Sequence, residues 1–274
     1  MNSELPDVFR ALRYALSKLG YIYQTCEPKY GWHKKTAGIA TRSKCGGEYW
    51  VKVRFRELDT PPDKLWLGEI DLPNIPGIKR PALERYFEWI ENGIVWRASV
   101  FAYIKDSPCS PSPELIGDVS ITRDWLDTLD MSLRNLASVK TVRCAIRQDL
   151  VNRRIHERFG RDVFVDVSSW VTGHGDLHWA NITREECWIL DWESWGTVPF
   201  GSDLAFLYCF SLMSPKVADI IFRRFELQLC SVDGKISLLF AIAELLRMIE
   251  VHGDHPGLRV PLLNEASKIL ANFR

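Results

Sequence analysis

Residues 174–181 read His-Gly-Asp-Leu-His-Trp-Ala-Asn, and residues 189–193 read Ile-Leu-Asp-Trp-Glu. These two stretches carry a carboxylate, an amide and a second carboxylate, at Asp176, Asn181 and Asp191. Carboxylate and amide oxygens suit a hard cation such as Mg²⁺, which keeps part of its coordination shell for phosphate and water. The pattern therefore predicts a site where a metal-bound phosphate meets a hydroxyl.

The residues between the two stretches predict a small β-hairpin. Ala180–Thr183 and Trp188–Leu190 are short strand-like runs separated by a polar turn. If the chain reverses near Glu185–Glu186, antiparallel pairing joins positions whose residue numbers sum to about 371. Asn181 then lies opposite Leu190, one residue from Asp191. Asp176 precedes the hairpin, where its carboxylate can accept a proton from an attacking hydroxyl.

The composition disfavours several classes of partner. Lys and Arg number 35 among 274 residues, as do Asp and Glu, so the formal net charge is zero. A chain without excess positive charge is a poor ligand for nucleic acid or an anionic membrane. We find no signal peptide and no apolar run long enough to span a bilayer. Seven scattered cysteines without Cys-x-x-Cys spacing predict reduced thiols in a cytoplasmic protein, and the oligomeric state stays open.

Residues 1–104 predict a small lobe built on an antiparallel sheet of about five strands. A helix over Pro6–Leu19 comes first, and a short helix containing Glu69 ends before Pro73. The Asn92-Gly93 pair predicts a tight hairpin between the last two strands. The predicted strands cover Tyr21–Cys26, His33–Thr41, Glu48–Phe55, Ala82–Ile90 and Ile94–Ile104.

The second part of the chain is predicted to be mostly helical. Residues 105–113 are rich in Pro and Ser and predict a hinge or linker, followed by a C-terminal lobe over 114–274. Apolar spacing marks helices around residues 125–136 and 146–155 before the hairpin. Further helices are predicted over Asp203–Ser211, Pro215–Cys230, Lys235–Val251 and Leu262–Phe273.

Together these motifs resemble the aminoglycoside phosphotransferase and choline kinase-like family. That family carries His-Gly-Asp-x-His-x-x-Asn, as at residues 174–181, and an apolar pair before Asp, as at 189–191. It often continues with Pro and then Asp-Leu-Ala, as at Pro199 and 203–205. The resemblance implies an α+β, bilobal protein-kinase-like fold, with a small antiparallel β lobe and a larger, mostly helical lobe.

The resemblance also implies a role for each matching residue. Asp176 corresponds to the catalytic base, while Asn181 and Asp191 correspond to the metal ligands. Lys52 resembles the strand lysine that contacts the nucleotide phosphates, with Glu69 as its helix partner. The cofactors implied are Mg²⁺ and ATP or GTP.

Other assignments are less direct. Glu57 and Glu84 compete with Glu69 for the pairing role, and Phe101 and Tyr103 lie in a segment that could offer backbone groups to a purine. The residues that cover the phosphates are unassigned, because the chain has no Gly-x-Gly-x-x-Gly and no Walker A string.

Two histidines within the motif at residues 174–181, and one acid that follows it, are predicted to hold the motif in its conformation. We interpret His174 and His178 as packing and loop-ordering residues rather than metal ligands. Asp203 is predicted to cap the helix that it begins, and the resemblance suggests that it also braces the catalytic loop.

The predicted function is nucleotide-dependent O-phosphorylation of a small molecule, with an aminoglycoside-like antibiotic or other natural product favoured. A cationic acceptor is one candidate, and choline or ethanolamine, a sugar and homoserine are alternatives. A protein kinase is disfavoured, since residues 193–202 leave little room for a regulatory loop and no Ala-Pro-Glu follows. The alternative of a different class is a kinase-like module that binds nucleotide without turnover.

Overall fold

A computed structural model describes residues 6–22, 27–117, 119–163 and 165–271. The chain divides into two compact units. The first contains Met1–Ile70 and Arg80–Lys105, and the second contains Asp71–Lys79 and Asp106–Arg274. The predicted first lobe ran continuously to residue 104, so the grouping of 71–79 with the second unit differs from the predicted boundary.

The first unit begins with helix α1, Val8–Leu19. The Asp7 carboxylate accepts hydrogen bonds from the N–H groups of Phe9 and Arg10, which caps the helix start. Leu12 and Leu16 lie on the buried face of α1, within the hydrophobic core of the first unit.

The described part of this unit forms an antiparallel sheet of five strands, which is the number predicted, but its first strand, Lys29–Tyr30, was not among the predicted ones. Strand order along the sheet is β1-β2-β3-β5-β4, and the last two strands are joined by Asn92-Gly93. Alternate residues of β3, including Val51 and Val53, are buried in the core beneath the sheet. The strands are β1 Lys29–Tyr30, β2 Thr36–Arg42, β3 Glu48–Glu57, β4 Leu83–Glu91 and β5 Ile94–Ala102, and the short helix α2 covers Lys64–Asp71.

Two strand predictions need correction or lie outside the description. The predicted strand His33–Thr41 begins later, because Trp32–Lys34 forms a 3-10 turn with left-handed backbone at His33. Of the predicted strand Tyr21–Cys26, residues 23–26 lie outside the described residues, and Ile22 forms an isolated bridge to Arg42.

The described part of the second unit is mostly helical and contains the larger core. The predicted helix Pro215–Cys230 is wrong as one element, because it is interrupted at Phe225, whose φ and ψ are not helical. The end of the predicted helix Leu262–Phe273 lies beyond the described residues. The helices are α3 Arg123–Ala137, α4 Gln148–Phe159, α5 Ser202–Ser211, α6 Pro215–Arg224, α7 Glu226–Leu229, α8 Val232–His252 and α9 Arg259–Ala271.

A two-stranded antiparallel sheet, which the sequence did not predict, frames the opening motif. Strand β6, Trp170–Gly173, pairs with β7, Gly196–Pro199, so that Gly173 lies opposite Gly196. The motif residues 174–195 therefore form one long excursion between two paired strands. Within the described ranges, every helix is too short or too polar to cross a bilayer.

Candidate active site

In the first unit, Lys52 and Glu69 form a buried ion pair. Lys52 Nζ lies 2.9 Å from Glu69 Oε1, and their side chains are 11% and 3% exposed. Ser99, which lies opposite Lys52 in the β3–β5 register, donates its hydroxyl to Glu69 Oε2 at 2.9 Å. The competing acids Glu57 and Glu84 are both exposed. The carboxylate of Glu69 is thus held on both oxygens and fixes the lysine ammonium in place.

Helix α2, which carries Glu69, is held to the sheet by a second polar network. The buried Arg97 guanidinium lies 4.2 Å from the centre of the Trp66 ring and donates to the Trp66 carbonyl oxygen. Trp66 and Arg97 share the carboxylate of Glu88, at 3.1 Å from the indole N–H and 2.6 Å from the guanidinium. Cation–π contact and charged hydrogen bonds together restrain the turn that precedes Glu69.

Phe101 and Tyr103 lie at the end of β5 and just beyond it. Phe101 is opposite Trp50 on one side and Leu83 on the other. The N–H of Tyr103 donates to the Glu48 carbonyl oxygen at 3.4 Å, so this backbone donor already has a partner in the first unit.

In the second unit, the hairpin has the register expected from the sequence. Leu190 N–H donates to the Asn181 carbonyl at 2.8 Å, Ile182 bridges Ile189, and Thr183 N–H donates to Trp188 at 3.0 Å. The pairing is an isolated bridge, Ile182–Ile189, rather than two strands, and left-handed residues lie directly before and after the second arm, at Cys187 and Asp191.

Asp191 follows this arm in a backbone conformation that few side chains adopt. Its φ is +56°, in the left-handed region where a non-glycine residue carries strain. This conformation turns the chain directly after the hairpin, so that Asp191 does not continue the pairing. Such strained positions cluster at functional sites.

The side-chain amide of Asn181 has a single hydrogen-bonding orientation. Its Nδ2 donates to the backbone carbonyl of Asp176 at 3.0 Å and also lies 3.2 Å from Nε2 of His178. A carbonyl oxygen can only accept, so the nitrogen of the amide, not the oxygen, must face Asp176. Within the described part of the chain, Asn181 Oδ1 accepts no hydrogen bond, and it is the atom available to a cation.

His178 is a buried, neutral imidazole beside the half-exposed carboxylate of Asp176. The two side chains are 3.7 Å apart, between Nε2 and Oδ2, with exposures of 13% and 49%. Burial lowers the pKa of His178 to about 4, against the opposing effect of Asp191. The ring stands edge-on to Phe210 at 5.9 Å between centroids.

Asp203 holds the start of the loop formed by residues 174–181, which the resemblance identifies as the catalytic loop. Its carboxylate accepts from the N–H groups of His174 at 2.7 Å and Gly175 at 2.9 Å. Burial raises the pKa of Asp203, while His174 and these two N–H donors act in the opposite direction. The predicted bracing contact is present. The predicted helix cap is not, because Gly201 occupies the N-cap position and Asp203 faces the loop.

His174 connects the loop of residues 174–181 to the second arm of the hairpin, Trp188–Leu190, which is followed by Asp191. Its Nε2 lies 2.9 Å from the Leu190 carbonyl, and its ring stands edge-on to Trp192 with centroids 4.8 Å apart. This geometry agrees with a loop-ordering role.

Arg143 is a contributor that the sequence analysis missed. Its guanidinium is 9% exposed and donates to the carbonyl oxygens of Trp195 at 2.5 Å and Glu193 at 2.7 Å. It therefore holds the segment that follows Asp191. Contacts to backbone carbonyls leave no side-chain pattern in the sequence, so only the structure reveals them.

The donor set of the second unit fits a hard divalent cation. The oxygen ligands predicted for the site, from Asn181 and Asp191, are one neutral and one anionic, and neither is a soft ligand. The hydrogen bonds on Asn181 Nδ2 leave its oxygen for a ligand role.

The fold matches solved structures of antibiotic phosphotransferases along almost its whole length. Amicoumacin kinase hAmiN, solved in complex with AMP-PNP, Ca²⁺ and Ami, is 13% identical, with a TM-score of 0.56 over 96% of this chain and 93% of that chain. Macrolide 2'-phosphotransferase MphH from Brachybacterium faecium is 13% identical, with a TM-score of 0.55 over 92% and 97%. Aminoglycoside phosphotransferase APH(4)-Ia is 8% identical, with a TM-score of 0.60 over 96% and 98%.

No protein-family model matches the sequence. No curated protein matches it either. At the identities above, the structural likeness establishes the fold. The chain has the protein-kinase-like fold of the aminoglycoside phosphotransferases, as the motifs indicated.

Proposed function

We propose that this chain is a small-molecule kinase, which transfers the γ-phosphate of a nucleoside triphosphate to a hydroxyl group. The observation that carries the proposal is the arrangement of Asn181. Its amide is tied to the Asp176 backbone, its carbonyl pairs with Leu190, and Asp191 follows immediately. The proposed base, the neutral ligand and the acidic ligand thus all belong to the segment that connects β6 and β7.

In this reaction Asp176 accepts the proton, and the nucleoside diphosphate is the leaving group. The acceptor O–H bond breaks as the proton moves to Asp176, and the hydroxyl oxygen bonds to the γ-phosphorus. The bond between that phosphorus and the β,γ-bridging oxygen breaks, and the nucleoside diphosphate leaves. Because the transition state of phosphoryl transfer is loose, Asp176 contributes by orienting the hydroxyl as well as by accepting its proton.

Each remaining residue holds a reacting group in position. When bound, Mg²⁺ neutralises the charge of the phosphate oxygens. Asn181 and Asp191 would hold that ion, and Lys52, fixed by Glu69, would bind the nucleotide phosphates. Phe101 and Tyr103 remain our proposed contacts for the base, through backbone groups at the end of β5.

For the acceptor we favour a hydroxylated antibiotic or related natural product. The solved structures that this fold matches are named for such substrates, which supports the class without selecting a member. Choline or ethanolamine, a sugar and homoserine are the alternatives. ATP and GTP are both candidates for the donor.

The test is nucleotide consumption against a panel of aminoglycosides, macrolides, other antibiotics, choline, sugars and homoserine. With an active acceptor, Asp176→Asn should lower kcat by about 10²–10⁴-fold, as expected for loss of a positioned base. Binding of Mg²⁺ with AMP-PNP, measured by calorimetry, should stay near the wild-type value. Asp219→Asn, an exposed acid on α6, is the control and should leave both unchanged.

The competing function is a nucleotide-binding module without turnover. It would be supported by tight binding of Mg²⁺ with AMP-PNP together with no consumption across the panel. Turnover that persists in Asp176→Asn would instead show that another group accepts the proton.

A further inference from the structure

His178 occupies a position that its packing alone does not explain. Its ring contacts Phe210 edge-on and is buried, as an apolar side chain would be. Yet Nδ1 has no hydrogen-bond partner among the described residues and is shielded from solvent. A buried polar atom without a partner is unfavourable to folding. The imidazole is therefore a costly choice for a purely structural position.

The other ring nitrogen has a specific partner. Nε2 of His178 lies 3.2 Å from Nδ2 of Asn181. The amide nitrogen is a donor, since it also donates to the carbonyl of Asp176, so Nε2 must be the acceptor. In the neutral ring the proton then resides on Nδ1, so the nitrogen that lacks a partner is a buried N–H donor.

Both N–H bonds of the Asn181 amide are thus directed into the protein. One points to the Asp176 carbonyl and the other to His178, so rotation of the amide would break two hydrogen bonds and bring oxygen against two acceptors. The amide oxygen is left facing away from both. If the histidine acceptor were removed, one N–H would lose its partner and the amide could exchange its nitrogen and oxygen at lower cost.

We propose that His178 is a positioning residue for metal binding: its Nε2 locks the Asn181 amide so that Oδ1 is presented to the divalent cation. The inference rests on the proposed function, since it takes Asn181 to be a metal ligand. Partners of this kind, which orient a ligand without touching the metal, commonly change metal affinity by about 10–100-fold when they are removed.

Three substitutions separate the hydrogen bond from packing. His178→Phe keeps a ring against Phe210 but removes the acceptor. His178→Gln places an amide oxygen near the position of Nε2, whereas His178→Asn places its polar atoms near the position of Nδ1. His156→Gln is the control, because His156 on α4 is also half-buried and has Nε2 3.2 Å from a backbone carbonyl, that of Val163.

The first measurement is Mn²⁺ binding to the full chain saturated with AMP-PNP, followed by electron paramagnetic resonance. We expect dissociation constants about 10–100-fold higher for His178→Phe and His178→Asn. His178→Gln and His156→Gln should bind like the wild type. A merely structural role would instead group His178→Gln with the other two substitutions, or affect none of them.

The second measurement needs no metal and reports on the amide itself. In protein labelled with ¹⁵N-asparagine, the side-chain N–H signals of Asn181, assigned with Asn181→Ala, should shift in His178→Phe and His178→Asn. In His178→Gln they should remain close to their wild-type positions. Unchanged signals in folded His178→Phe would overturn the inference.

Failure of this inference is distinguishable from failure of the proposed function. If Asp191→Asn and Asn181→Ala lose Mn²⁺ affinity while His178→Phe does not, the metal site stands and the role of His178 is wrong. If none of these substitutions changes Mn²⁺ binding, both the metal site and the positioning role are wrong.

Discussion

The carboxylate of Glu69 bridges Lys52 on β3 and Ser99 on β5, with each of its oxygens 2.9 Å from one partner. The side chain is 3% exposed, so the acid has almost no access to water. When a buried acid is removed, each of its partners loses one contact while it stays buried. The free energy of unfolding therefore falls.

Glu69→Ala is therefore expected to destabilise the protein by about 3–5 kcal/mol, because it removes both the buried carboxylate that is ion-paired with Lys52 and the acceptor of the Ser99 hydroxyl. Chemical denaturation measures this change. Lys105→Ala, which breaks the exposed ion pair with Glu48, is the control and should change stability little. Glu69→Gln keeps the shape and should also weaken AMP-PNP binding. An unchanged affinity would argue against a nucleotide role for Lys52.

Replacing Gly175 is expected to displace the loop formed by residues 174–181. Its φ is +76°, and an added Cβ would lie 2.5 Å from the carbonyl oxygen of Ser194. Gly20 has a similar φ of +65° but open space around it. Gly20→Ala should cost about 1–2 kcal/mol from backbone strain, and Gly175→Ala a further ~1–3 kcal/mol from the clash.

Unfolding curves for the two alanine variants test this difference directly. Transfer activity should fall in Gly175→Ala and persist in Gly20→Ala. Equal losses of stability would show that the loop can yield at Ser194 without cost.

Asp203→Asn is expected to loosen the catalytic loop. The asparagine keeps one acceptor oxygen but turns an N–H₂ group toward one of the two N–H donors, at His174 or Gly175. One buried donor is then unsatisfied, which costs about 1–3 kcal/mol. Hydrogen exchange at the Gly175 amide should become faster, and kcat should fall. Asp219→Asn again serves as the control, and exchange at Gly175 that stays slow would contradict the bracing role.

The buried imidazole of His178 makes stability depend on pH. The folded pKa of about 4 lies below the unfolded value of 6.5. Between these values the unfolded chain binds the proton and the folded chain does not, so stability falls as pH drops from about 6.5 toward 4. This contribution is absent in His178→Gln. Lowering the pH through this window should therefore reduce the free energy of unfolding more in the wild type than in the variant. Urea denaturation of both proteins from pH 7 to 5 tests it, and parallel curves would contradict the pKa assignment.

The hairpin register was predictable because it depends on local rules. Turn position fixes antiparallel pairing, and the pairs Asn181–Leu190 and Thr183–Trp188 follow from the same centre. Four of the five strands in the described sheet were equally predictable, since alternating apolar residues and the Asn92-Gly93 turn are strong short-range signals, whereas the two-residue strand Lys29–Tyr30 is too short to show a pattern.

The features that were missed depend on contacts between distant residues. The β6–β7 pair joins residue 170 to 199 through short strands without a distinct pattern. Arg143 reaches backbone carbonyls some fifty residues away, which no side-chain spacing encodes. The break at Phe225 interrupts an apolar period that continues on both sides, so periodicity alone merges α6 and α7.

Residues 71–79 belong to the second unit, although the residues on both sides of them in the sequence belong to the first. Ile75 is buried in the core of the second unit, and the backbone carbonyl oxygen of Lys79 accepts from the Ile189 N–H at 2.9 Å. The backbone therefore passes between the units at three points along the sequence, near residues 70, 79 and 105. A chimera with a single crossover near residue 105 would combine Ile75 of one parent with the second-unit core of the other. A chimera of this chain that keeps both units intact requires three junctions, with residues 71–79 inherited from the same parent as the hairpin that Lys79 contacts.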